Sequence, residues 1–122
     1  MNGTSSLAHR WQRIELYVRC ALAPREPAYV QLYLHLGRKL ARRDDLPALA
    51  IQLRMLSTLV KSAEDDALPW FWRSVCLEHA TLPLAQVTSS CRLHDPQAVD
   101  AIERSVQRAW HRLPAGPSRL PS

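Results

Sequence analysis

The sequence predicts an all-α fold, a compact bundle of five or six short helices. Apolar residues recur at steps of three and four along most of the chain, and no segment shows the strict alternation of a strand. Five prolines each precede a stretch with this helical period, and proline is well tolerated in the first turn of a helix. These prolines are Pro27, Pro47, Pro69, Pro83 and Pro96.

The first two helices are predicted at about residues 5–22 and 27–42. Each carries its apolar residues on one face. In the first helix the stripe consists of Leu7, Trp11, Ile14, Val18 and Ala21. In the second it consists of Tyr29, Leu32, Tyr33, Leu36 and Leu40.

The third helix is predicted to begin at Asp45 as its N-cap, with Pro47 just inside, and to continue to about Lys61. It carries two neighbouring apolar stripes, so we expect it to be the central, buried helix. The first stripe is Leu46, Leu49, Leu53, Leu56 and Val60, and the second is Ile51, Met55 and Leu59. Leu53 and Leu56 are the expected core residues.

Three shorter helices follow. The fourth is expected from near Pro69 to before Pro83, and the fifth from Pro83 to Cys91. The sixth is expected after Asp95 as N-cap, with Val99, Ile102, Val106, Ala109 or Trp110, and Leu113 as its stripe. We therefore predict one helical domain over residues 1–113 and a disordered tail over residues 114–122, where turn formers replace the periodicity.

Composition favours a cytoplasmic protein. The sequence contains no apolar segment long enough for a membrane span and no secretory h-region, so no membrane association is expected. Three widely spaced cysteines make no disulfide framework. The net charge of +5 is modest. A basic face of Arg104, Arg108 and Arg112, with Arg10 and Arg13 on the first helix, leaves nucleic-acid binding as an alternative, but a solvated outer helix face is favoured.

A second alternative is a metal site. Cys76 and His79 are three residues apart, as are Cys91 and His94, and these four side chains are a ligand set that suits zinc. Only a sharp hairpin at Leu82–Pro83 would bring the two pairs together, so the favoured prediction has no metal and no cofactor. Catalysis by Cys76 with His79 is not expected either, because Cys76 lies in mid-helix, away from any positive helix terminus that would lower its pKa.

The favoured candidate site is the aromatic segment that opens the fourth helix. Three successive aromatic residues cannot all face one side of a helix, so at least one ring of Trp70, Phe71 and Trp72 should reach the surface. Tryptophan and arginine are common anchors of protein interfaces. We predict a partner-binding surface formed by Trp70, Trp72, Arg73 and His79. The alternative is that Arg73 pairs with Glu78 or Asp66 and that the rings are core.

The same segment carries a family resemblance. Residues 68–80, LPWFWRSVCLEHA, together with Pro83 and Leu84, resemble the Fur-associated gene A proteins of pseudomonads and relatives. The stretches 19–22, 26–27 and 33–38 are similar too, whereas the chain after Pro83, including Cys91 and His94, departs from the family pattern. The resemblance implies an iron-starvation protein under the ferric uptake regulator, encoded beside an iron-independent fumarase and a manganese superoxide dismutase. It implies no particular biochemical activity, partner or oligomeric state.

Overall fold

The computed structural model describes residues 3–43, 47–92 and 94–114, and these residues form six α-helices without a strand. The helices are α1 (Gly3–Cys20), α2 (Ala28–Ala41), α3 (Ala48–Ala63), α4 (Trp70–His79), α5 (Thr81–Cys91) and α6 (Pro96–Arg112). The predicted all-α class is confirmed, and each predicted helix is present within a few residues of its expected bounds.

The turn after α1 ends that helix before Pro24 is reached. Ala21 has a φ of 50°, in the left-handed region, and the amide of Leu22 donates to the carbonyl of Tyr17 at 3.1 Å. This is the hydrogen bond of a Schellman C-cap, a position that usually holds glycine. The turn directs the chain back so that α2 packs along α1.

A glycine sets how closely α2 approaches its neighbours. Gly37 lies on the buried face of α2, and a Cβ there would be 2.2 Å from Sδ of Met55 and 2.9 Å from Nε1 of Trp11. Only a residue without a side chain permits this contact, which brings α1, α2 and α3 together.

Helix α3 is the centre of the bundle, as predicted, because it packs against all five other helices. The prediction that both apolar stripes of α3 are buried, with Leu53 and Leu56 in the core, was wrong in part. Ile51, Met55 and Leu59 are buried and face the core, whereas Leu49 and Leu53 of the other stripe are both exposed. Leu56 and Val60 are buried at the side of the helix. The predicted N-cap Asp45 lies outside the described residues.

The C-terminal half consists of three helices joined by short turns. Helix α4 ends at His79, and α5 begins at Thr81 with Pro83 in its first turn, where a missing amide hydrogen loses no helical bond. The predicted cap of α6 is confirmed, since Oδ1 of Asp95 accepts from the amide of Ala98 at 3.0 Å. On α6, Ala109 is buried and Trp110 is exposed.

The predicted tail begins at Pro114, the last of the described residues. Pro114 is described, and its carbonyl accepts a hydrogen bond from Nε1 of Trp70. Residues 115–122 of the predicted disordered tail lie outside the described residues. Among the helices of the described ranges, none combines the length and apolar character needed to cross a bilayer.

Candidate functional site

The prediction that Trp72 and Arg73 form an exposed patch is wrong. Trp72 is fully buried, and its Nε1 donates to the carbonyl of Val18 on α1 at 2.8 Å. Arg73 is 6% exposed. Its Nε donates to the carbonyl of Ala63 at 2.8 Å, and its terminal nitrogen lies 3.4 Å from Oδ1 of Asp66. Arg73 thus caps the carbonyl end of α3, as the alternative with Asp66 anticipated in part.

The other two rings of the aromatic segment are more accessible. Trp70 is half-buried and tied to Pro114. Phe71, which was not among the predicted site residues, is 53% exposed. The expectation that at least one ring of the three reaches the surface is therefore confirmed, but the exposed ring has no adjacent arginine head group, because Arg73 points inward.

His79 and Cys76 take structural positions on α4. Nδ1 of His79 lies 2.9 Å from the carbonyl of Val75, within hydrogen-bonding distance in its own helix. Cys76 is fully buried. Burial raises the pKa of the Cys76 thiol to about 12, an effect that the hydroxyl of Ser62 opposes. A thiol with such a pKa is a poor nucleophile and a poor metal ligand at neutral pH.

The four candidate metal ligands are not brought together. Over residues 3–43, 47–92 and 94–114, no three His, Cys, Asp or Glu side chains form a group that could hold a metal ion. Cys76 is in the core, Cys91 is half-buried at the end of α5, and His94 is exposed in the following turn. The helix break at Ala80 does not act as the hairpin that the alternative required.

The basic face predicted on α6 is on the surface. Arg104, Arg108 and Arg112 are all exposed, as are Arg10 and Arg13 on α1. Arg112 donates to Oε2 of Glu64, the C-cap residue of α3, at 3.3 Å, so one of the three arginines also links α6 to the end of α3.

A polar cluster that the sequence did not predict joins the first three helices. Glu15 on α1 accepts from Nε of Arg54 at 2.9 Å and from its terminal nitrogen at 2.6 Å, and it also accepts from the hydroxyl of Tyr33. The guanidinium of Arg54 lies 4.9 Å from the ring centroid of Trp11, which stacks on Tyr33. Burial, with the Glu15 carboxylate beside it, raises the pKa of Tyr33, so this hydroxyl stays protonated and donates.

Two shallow grooves adjoin along the solvent side of α3. The first, about 340 Å³, lies between α1 and α3, and the second, about 280 Å³, lies between α3 and α6. Both are lined by Ser57 and Lys61, so they meet along one ridge of α3. We call this surface, the two grooves with the ridge between them, the open face of α3.

The floor of the open face is apolar. In the groove against α6 it is formed by leucine, isoleucine and valine side chains of two helices: Leu53, Leu56, Val60, Ile102 and Val106. Leu53 is 38% exposed there, and Leu16 in the groove against α1 is 59% exposed. Of the first stripe of α3, only Leu53 is uncovered in this groove, because Leu56 and Val60 are buried.

The rim of the open face carries more basic than acidic side chains. Two carboxylates, Glu15 and Glu64, also line the grooves, and they pair with Arg54 and Arg112. Lys61 lies on the ridge, and Arg54 and Arg19 line the groove against α1. Arg108 and Arg112 stand three and seven residues beyond Ser105, which lines the groove against α6, so they share its side of that helix. Arg19, Arg54 and Arg112 pair with carboxylates, but no carboxylate of the described residues lies within ion-pair distance of Lys61 or Arg108. The rim therefore favours an acidic partner.

Comparison of the chain with protein-family models, with curated proteins and with solved structures finds no match.

Proposed function

We propose that this protein is a non-enzymatic binding protein whose open face of α3 recognises an acidic, amphipathic helical segment of a partner protein. The observation that carries the proposal is the combination of an apolar floor with a basic rim along one helix. The aromatic segment of α4, where the sequence predicts the partner-binding surface, does not offer such a surface, because Trp72 and Arg73 are buried.

The dimensions of the floor suit a docked helix. From Leu53 to Val60 the floor extends along seven residues of α3, roughly 10 Å. Peptide helices that dock in apolar grooves do so through residues at positions i, i+3 or i+4, and i+7, which cover the same length. Acidic side chains on either side of that stripe would lie against Lys61, Arg108 and Arg54.

A binding role without catalysis is supported by the burial of the candidate nucleophile, Cys76. Cys76 has no access to solvent, and burial holds its pKa far above neutrality. His79 is within hydrogen-bonding distance of a backbone carbonyl of its own helix. These two side chains serve the packing of α4, which supports a binding role over catalysis by this pair.

The resemblance to the Fur-associated gene A proteins supplies the setting of the proposal. We propose that the protein acts when iron is scarce. Its abundance should rise when cells are grown with an iron chelator and fall when iron is restored. A level that does not respond to iron would remove this setting without affecting the docking surface.

The docking surface is tested by affinity capture from iron-limited cells with two matched variants. Leu53→Glu places a carboxylate on the apolar floor, while Leu22→Glu makes the same change at a leucine in the turn after α1 that is 58% exposed. Wild type and Leu22→Glu should retain the same partner, and Leu53→Glu should lose it. With that partner purified, Leu53→Glu should weaken binding at least about tenfold. Equal capture by Leu53→Glu and wild type would contradict the proposal.

A further inference from the structure

A pocket of about 300 Å³ lies where the end of α2, the start of α3 and the middle of α5 meet. It shares no residue with the grooves of the open face. Its lining combines two arginines, two glutamines and a serine with three small or apolar residues: Arg38, Arg42, Gln52, Gln86 and Ser90, with Ala41, Ala48 and Leu49.

The polar lining is rich in hydrogen-bond donors that come from three helices. Arg42, the C-cap residue of α2, is one turn after Arg38, and Gln86 and Ser90 are one turn apart on α5, so each pair lies on one helix face. Arginine offers a planar fork of N–H donors that matches an oxyanion, and amide and hydroxyl groups add neutral donors. None of the described lining residues is a carboxylate.

The backbone at the start of α3 also favours an anion in this pocket. Ala48 and Leu49 are the first two residues of α3 and line the pocket. The amides of a first helical turn favour negative charge. This contribution adds to that of the two arginines, on which the site depends.

We propose that this pocket binds a phosphate group, either as the free anion or as part of a small phosphorylated metabolite. The donors line one concave place, whereas a polynucleotide backbone needs cations along a track of successive phosphates. The pocket volume is at the lower end for small-molecule sites, and Leu49 offers an apolar contact for the rest of such a ligand. The proposal does not depend on the docking function of the open face.

The test is an NMR titration of the full chain, labelled with ¹⁵N, at constant ionic strength maintained with chloride. One series adds inorganic phosphate and a second adds ribose 5-phosphate, so that the two series distinguish the free anion from a phosphomonoester. In at least one series the backbone amides of Ala48 and Leu49 and the side-chain amides of Gln52 and Gln86 should shift together and saturate.

Two variants decide whether the arginines are responsible. Arg42→Gln, or Arg38→Gln in its place, should weaken binding at least about tenfold, because a charge-assisted bidentate contact is lost. Arg25→Gln changes the net charge equally, but Arg25 precedes the first residue of α2, roughly 20 Å from Arg42 along that helix, and should bind as wild type does. Shifts that never saturate in either series, or an equal loss in Arg25→Gln, would overturn the proposal. So would a single-stranded RNA that binds these residues more tightly than both phosphate probes.

Discussion

Arg73 on α4 serves the packing of the bundle and not an exposed surface. Its guanidinium is buried against the end of α3 and donates to the carbonyl of Ala63. We expect Arg73→Ala to lower the free energy of unfolding by about 1–3 kcal/mol, because a charge-assisted hydrogen bond is lost and a buried carbonyl loses its donor. Chemical denaturation measures this loss.

The control is Asp66, the carboxylate beside Arg73. Its side chain is 96% exposed, so Asp66→Asn should change the stability by less than about 0.5 kcal/mol. If Arg73→Ala were as harmless as Asp66→Asn, the arginine would be free to serve a surface, and its structural assignment would be wrong.

A second prediction at the level of one residue concerns Gly37. Alanine there would gain about 0.5–1 kcal/mol of helix propensity but would place its methyl group against Met55 and Trp11. Because overpacking typically costs about 1–3 kcal/mol, Gly37→Ala should be destabilising by about 1 kcal/mol overall. In a Met55→Ala background most of this cost should disappear, and a double-mutant cycle by denaturation measures the difference. An unchanged cost in that background would show that Met55 is not the obstacle.

The sequence shows which residue types α4 contributes to the predicted site, but it does not show which of these side chains face solvent. Every side chain from Trp72 to Leu77 is buried, although six successive residues cover all sides of a helix. The expectation that Arg73 faces solvent assumed one apolar and one polar face, which holds only for a helix with one side open to water. Helix α4 packs against α2, α3, α5 and α6, so it has no such face over these residues.

At the level of elements, the two stripes of α3 lead to opposite expectations for two nearby apolar residues. Met55 is fully buried, so Met55→Ala should lower the unfolding free energy by about 2–5 kcal/mol. Leu53 is partly exposed, and Leu53→Ala should cost less than about 1 kcal/mol. Thermal or chemical denaturation of both variants measures the difference. A larger loss for Leu53→Ala than for Met55→Ala would show that the wrong stripe has been assigned to the core.

The start of α6 supplies a prediction about a helix cap. Asp95→Ala removes the acceptor for the amide of Ala98 and should cost about 1 kcal/mol. Asp100→Ala, an exposed change inside the same helix, is the matched control and should be close to neutral. Comparable losses in the two variants, measured by denaturation, would mean that the side chain of Asp95 does not stabilise the helix.

The existence of the helices could be predicted because periodicity, prolines and caps are local signals. The choice between the stripes of α3 could not, because both are equally apolar in sequence. What decides between them is which neighbouring helices cover each side, and α6 leaves part of the first stripe uncovered. An apolar stripe thus predicts a helix, but it does not indicate whether the surface that covers the stripe belongs to the same chain.

At the level of the whole molecule, the polar cluster around Glu15 could not be predicted from the sequence, because it too depends on which helices pack together. Its members Tyr33 and Arg54 are 18 and 39 residues away from Glu15 along the chain, and only the packing of α1, α2 and α3 brings them together. The same packing creates the open face of α3. The sequence could therefore predict the class of fold and the helical order, but no surface to which several helices contribute.

Photo-crosslinking from position 53 tests partner recognition by the open face most directly. A photoreactive residue replaces Leu53 in one version of the protein and Leu22 in another, and iron-limited cells that express each version are irradiated. We predict one discrete adduct with a partner protein from position 53, none from position 22, and loss of the adduct when Lys61→Glu reverses the charge on the ridge. No adduct from position 53, or the same adduct from both positions, would contradict recognition through this face.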